Sequence, residues 1–144
     1  MQEEHDPGGP TGPTEQMSAQ DEKTWSVVAH LSVLAALVGL MPFGALLVWL
    51  LYKDRSPRVR FHAAQAFWYQ VAWIVIFLVY ALVTVVLSVV TIGMAAIVLV
   101  PLAFVLALVP LAHGCYAAYR VNQGEDYRYP FIADRVDGGA RRVF

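Results

Sequence analysis

Between Arg60 and Arg120 this chain has no Asp, Glu, Lys or Arg. Soluble domains carry about one charged residue in four, and the chain as a whole is only 15% charged and 58% hydrophobic over 144 residues. No water-facing surface can be built from the uncharged stretch, whereas a lipid-facing one can. A single cysteine, Cys115, rules out an internal disulfide, and its apolar neighbours suit a small buried hydrophobe. Net charge is −1, so bulk charge offers nothing to draw in a nucleic acid. The sequence also lacks a nucleophile–base pair, a glycine loop for phosphates and metal-ligand spacing. Catalysis inside lipid needs convergent ionisable groups, and the apolar runs hold none beyond histidine. An enzyme is therefore not expected, and neither is a cofactor.

What remains divides into three parts. Residues 1–22 are rich in Pro, Gly, Glu and Gln; too little apolar surface is present to offset ordering entropy, and a disordered tail is expected. Residues 23–132 form the membrane domain. Residues 133–144 are polar and read as a flexible C-terminal tail. The opening is acidic and the first apolar run starts only near Val27, so membrane insertion is expected to use an uncleaved segment.

Within the membrane domain, residues 24–52 are apolar but interrupted by Gly39, Pro42 and Gly44. Pro costs a helix interior about 3 kcal/mol and Gly about 1 relative to Ala. Two readings stand: one kinked span of about 25 residues, or a short hairpin of two helices turning at 39–44. The run from His62 to Arg120 would be about 90 Å long as one helix, roughly three hydrocarbon thicknesses. It must fold back, and Thr91-Ile92-Gly93 is the expected turn because Gly93 is the only glycine in the middle of the run. The expected fold is thus an all-α integral membrane protein: an antiparallel bundle of four membrane helices whose first two form a short hairpin, or alternatively three spans with a kinked first helix.

Lys53, Arg55, Arg58 and Arg60 share one short loop, Arg120 closes the last apolar run, and residues 91–93 carry no positive charge. The positive-inside rule places the 53–60 loop and the C-terminus in the cytoplasm of a multi-pass cell-membrane protein. The hairpin reading puts the N-terminus there as well; the kinked span sends it across.

His62, Gln65 and Tyr69 recur at spacings of three and four, with Gln70 adjoining, so a polar stripe runs along one helix. Interhelical hydrogen bonding is the plain reading and a path for substrate or protons the sharper one. His30, His62 and His113 would gather near one boundary in the hairpin topology, but no HxxxH pair or neighbouring carboxylate supports a metal site. Phosphorylation of Ser56 has no supporting feature.

Trp25, His30-Leu31-Ser32, Pro42, Lys53, Ser56-Pro57, His62-Ala63, Gln65-Ala66, Gln70, Gly124 and Tyr127-Arg128-Tyr129-Pro130 fall in one spaced order. This signature resembles a family of small bacterial and archaeal membrane proteins of unknown function, distantly similar to the protein-import channel subunit of the chloroplast inner envelope. The resemblance implies four membrane helices with both ends on one side, and so favours the hairpin. The expected function is a non-enzymatic scaffold or subunit of a membrane complex; the translocation relatives suggest a transporter or protein-translocation channel component as the alternative. The expected partners are the lipid bilayer and other membrane proteins or further copies of the chain.

Overall fold

A computed structural model describes residues 17–140. Five α-helices follow in order: α1 (Ala19–Leu31), α2 (Phe43–Tyr52), α3 (Pro57–Val90), α4 (Met94–Asn122) and α5 (Ile132–Ala140), with a 3₁₀ segment, Ser32–Val38, continuing α1. Most of the N-terminal tail expected over 1–22 lies outside the described residues. Residues 132–140, within or beside the expected C-terminal tail, form α5.

Among the described residues only α3 and α4 are long and apolar enough to cross a membrane. This corrects the expectation of four membrane helices, and equally the three-span alternative. The reason is length. At 1.5 Å per residue the ten residues of α2 extend about 15 Å, half a hydrocarbon core of about 30 Å. The outgoing limb is longer but begins with charge: α1 has Asp21 and Glu22 in its first turn, Ser32 bonds back to the Ala29 carbonyl at 2.7 Å, the ladder tightens to 3₁₀, and the seven residues of that segment add only about 14 Å. The chain then turns at 39–42 and comes back. The first apolar region is a stub set beside the spans.

The two spanning helices form an antiparallel pair joined at Thr91–Gly93, the turn read from the sequence. Gly93 sits at φ +87°, in the left-handed region that a side chain disfavours. At the opposite end α3 starts with Ser56 as N-cap, its hydroxyl accepting from the Val59 amide at 3.2 Å, and Pro57 in the first turn. Ser56 also donates to Glu22, which places the start of α1 at the 53–60 end.

All packing of the short hairpin happens at that end. Ala29, Val48, Val59 and Ala63 form one buried cluster, with Trp25, Trp49 and Tyr52 against it. Gly114 of α4 lets Val33 and the His30 carbonyl approach, and Gln70 donates to Ser32 at 3.0 Å. Further along, α3 and α4 have only each other: Tyr80 donates to the Leu99 carbonyl at 2.7 Å, while Val75, Leu78, Val79, Leu82, Phe104 and Val105 are exposed. Such bare apolar helices are stable where lipid replaces water around them.

Candidate functional site

On α3 the side chains of His62, Gln65, Tyr69 and Gln70 turn into the protein. His62, Gln65 and Gln70 are buried completely or nearly so, and Tyr69 is 8% exposed. Three of these side chains meet partners far away in sequence: His30 at the end of α1, and the loop 124–130 that follows α4.

Gln65 fixes the arrangement. Its Nε2 donates to the Tyr127 carbonyl at 2.7 Å, and its Oε1 accepts from the Tyr129 amide at 3.2 Å. One backbone partner can only accept and the other can only donate, so the orientation of the amide is determined. The remaining Nε2 hydrogen points to His62 Nδ1 at 3.0 Å, which must therefore be an acceptor. His62 then carries its proton on Nε2 and donates to Asp126 at 3.2 Å. His30 Nε2 lies 3.1 Å from the same His62 Nδ1 and donates to it, sharing the one lone pair of that nitrogen with the Gln65 amide in a three-centre arrangement. His30 Nδ1, left as an acceptor, receives the Tyr129 hydroxyl at 3.2 Å. Every proton in the row Tyr129, His30, His62, Asp126 consequently points the same way, from the buried tyrosine toward a carboxylate whose side chain is 64% exposed.

Beside this row lies an aromatic one. The rings of Tyr69 and Tyr129 stack at 4.1 Å and 8°. His113 is bonded to the Tyr69 hydroxyl at 2.8 Å and to the Tyr127 hydroxyl at 2.5 Å. Offset and edge-to-face contacts of this sort add about 0.5–1.5 kcal/mol each beyond burial.

Burial sets the electrostatics. Desolvation, reinforced by His62 and His113, lowers the His30 pKa to about 3. Burial pushes Asp126 up, but the hydrogen bond from His62 and the Arg58 guanidinium, 2.8 Å away, outweigh it and hold the carboxyl below its usual value. Burial likewise raises the Tyr129 hydroxyl. His30 is thus neutral in the folded protein, whereas in the unfolded chain it titrates near 6.5. Below pH 6.5 the unfolded state binds a proton that the folded state refuses until about pH 3, so stability falls as pH falls through that window. The expected loss approaches about tenfold in the folding equilibrium per pH unit. Unfolding midpoints of the detergent-solubilised protein from neutral pH to about pH 5 measure it, and His30→Gln is expected to flatten the slope.

The other residues singled out from the sequence divide clearly. Tyr127 and Tyr129 belong to the buried cluster; Pro130 and Phe131 lead out of it. Arg128 spans Asp134 and Asp137 of α5 at 2.9–3.0 Å and lies over the Phe61 ring. Arg58 joins the site through Asp126. Lys53 lies over Trp49, and Arg120 pairs with Glu125 and Tyr116. Pro42 marks the turn before α2, and Ser56 with Pro57 starts α3. Asp126 was not foreseen; a carboxylate in a polar tail gives no local signal that it faces a histidine 64 residues back. No group of three metal-ligating side chains occurs among the described residues.

The model of one protein family, described as the Magnetosome magnetite crystal formation protein family, matches residues 21–136. This overturns the resemblance to the chloroplast import-channel subunit. Of the positions in the spaced signature, His30, His62, Gln65, Tyr127 and Tyr129 meet in the buried cluster above, whereas Trp25 packs on Tyr52 beside the Ala29–Val48–Val59–Ala63 core. The channel alternative loses the relatives that suggested it, and two spanning helices alone enclose no pore. No curated protein and no solved structure matches the chain.

Proposed function

The chain belongs to the Magnetosome magnetite crystal formation protein family, and from that premise we propose that it takes part in magnetite crystal formation as a structural component of the magnetosome membrane. It is a helical, multi-pass membrane protein that acts structurally and not as an enzyme. The observation that carries the proposal is the family match over residues 21–136, an interval that includes the spans, the short hairpin and the buried cluster together.

The 53–60 end, with Lys53, Arg55, Arg58, Arg60 and Arg120, faces the cytoplasm in this reading, because basic residues are retained there. The opposite face then consists of Thr91-Ile92-Gly93, which has no charged or metal-ligating side chain. A crystal on that side finds nothing to hold, so the protein's contribution comes from its other end, by organising the bilayer and neighbouring membrane proteins. The His62/Gln65/Tyr69/Gln70 stripe locks the loop 124–130 to that end and keeps Arg58, Arg128 and α5 in place as a docking surface.

Deletion in the source organism, complemented by wild-type protein and by His62→Leu, tests the proposal. Crystals of altered size or number are expected in the deletion strain, restored by the wild type and not by His62→Leu. Crystals unchanged by the deletion would overturn it.

A further inference from the structure

The helices are distributed unequally across the bilayer. At the 53–60 end α1 with its 3₁₀ extension, α2, α3 and α4 lie side by side, held by the Ala29–Val48–Val59–Ala63 cluster and by the close approach of Val33 to Gly114. At the 91–93 end only α3 and α4 are present. Each helix with its side chains is about 10 Å wide, so the protein occupies roughly twice the area in one leaflet that it occupies in the other.

The extra material belongs in lipid. Leu34, Leu37, Leu47 and Leu51 of the short hairpin are 41–72% exposed on its outside, and its turn carries Leu40 and Phe43 outward as well. At the same end Ile132 of α5 packs on the Tyr69–Tyr129 cluster, while Phe131, 84% exposed, stands beside it where aromatic rings favour the headgroup boundary. A body that is wide in one leaflet and narrow in the other fits a flat bilayer poorly. Lipids in the crowded leaflet must spread, and bending the membrane toward that side relieves them. The helix that would balance the areas is missing because α2 ends after ten residues.

We propose that this protein is a membrane wedge: it concentrates in, and at high density produces, bilayers curved so that the 53–60 end lies on the convex face. The occupant of the apolar outer surface is the phospholipid bilayer itself. The inference rests on the membrane reading and on the two-span architecture, and is independent of the role in crystal formation. Joined to the proposed orientation, it puts the cytoplasmic leaflet on the outside of the curve, as in a vesicle that buds into the cytoplasm.

The test uses the full chain with Cys115→Ala and Gly138→Cys, since a side chain at Gly138 meets open space. The labelled protein is reconstituted into giant phosphatidylcholine–phosphatidylglycerol vesicles, and narrow tubes are drawn from them. Reconstitution gives both orientations, which a membrane-impermeant quencher separates. Molecules with the 53–60 end outside are expected to be several-fold denser on the tube than on the parent vesicle, and those inserted the other way depleted. Equal densities, or enrichment of both orientations alike, would overturn the proposal. A second measurement examines its basis: a cysteine at Val38, near the tip of the hairpin, is expected to stay unreactive to an impermeant reagent applied from the 91–93 side. Labelling from that side would mean that the hairpin crosses, and the wedge would fail regardless of any effect on crystals.

Discussion

Gln65→Met is expected to destabilise the protein by roughly 3 kcal/mol and to release the loop 124–130 from the bundle. The substitution preserves length and apolar volume, so the loss comes from the hydrogen bonds. Gln65 is fully buried, and without its amide the Tyr127 carbonyl and the Tyr129 amide have no replacement partner within the cluster. Each buried orphan costs about 1–3 kcal/mol. His62 Nδ1 keeps His30 but loses its second donor. Gln65→Glu is not expected to rescue, because its second oxygen would face the Tyr127 carbonyl where Nε2 stands at 2.7 Å. Two readouts check this: the unfolding midpoint in a denaturing-detergent titration, and limited proteolysis between Gly124 and Tyr129. A Gln65→Met protein within about 1 kcal/mol of wild type and equally protected would show that stacking alone holds the loop.

Gly114→Ala is expected to cost about 1–3 kcal/mol, with much of the loss recovered by adding Val33→Ala. A Cβ at position 114 would stand 2.5 Å from Val33 Cγ1, 3.1 Å from its Cβ and 3.3 Å from the His30 carbonyl. The first neighbour belongs to a branched side chain with little rotamer freedom and the third is backbone, so neither yields cheaply. Removing the Val33 methyls alone leaves a void and also destabilises. The two changes together fill that void, so the double variant is expected to be more stable than the sum of the single losses by about 1 kcal/mol or more. Additive losses would place the contact elsewhere. Because the same contact seats His30, the Gly114→Ala protein is also expected to lose part of the pH slope that His30 produces.

Local pattern carried the spanning pair. The absence of charge between Arg60 and Arg120, and one glycine at the middle of that run, locate two long helices and the turn between them, because lipid admits no other backbone arrangement over such a length. The stripe His62, Gln65, Tyr69 is legible for a related reason: helical spacing alone puts these residues together. Two things were beyond reach. The break at Gly39–Gly44 shows that the first apolar region cannot be a plain helix, but whether its limbs cross depends on where α2 ends and on the tightening at Ser32, which composition does not encode. The completion of the polar cluster depends on pairings across 32, 64 and 99 residues. His30, Asp126 and Tyr129 look unrelated along the chain until α1 and the loop after α4 are packed against α3. The tetrapeptide Tyr127-Arg128-Tyr129-Pro130 was visible as a signature, yet nothing local says that its two tyrosines turn inward while its arginine turns out to α5.

The turn Thr91–Gly93 bears on how the polypeptide reaches its final position. Every charged side chain in the described chain, from Asp21 through the 53–60 loop to Asp137, sits at one end, and the portion delivered across the bilayer is the uncharged turn Thr91–Gly93. No ion has to be stripped of its hydration on the way. In the proposed orientation the pair α3–α4 can therefore enter as a preformed helical hairpin from the cytoplasmic side, with its backbone already satisfied, while Arg58, Arg60 and Arg120 remain behind as an anchor. On this route assembly is a one-sided event: the hairpin inserts first, and the loop bearing Tyr127 and Tyr129 closes over His62 and Gln65 afterwards.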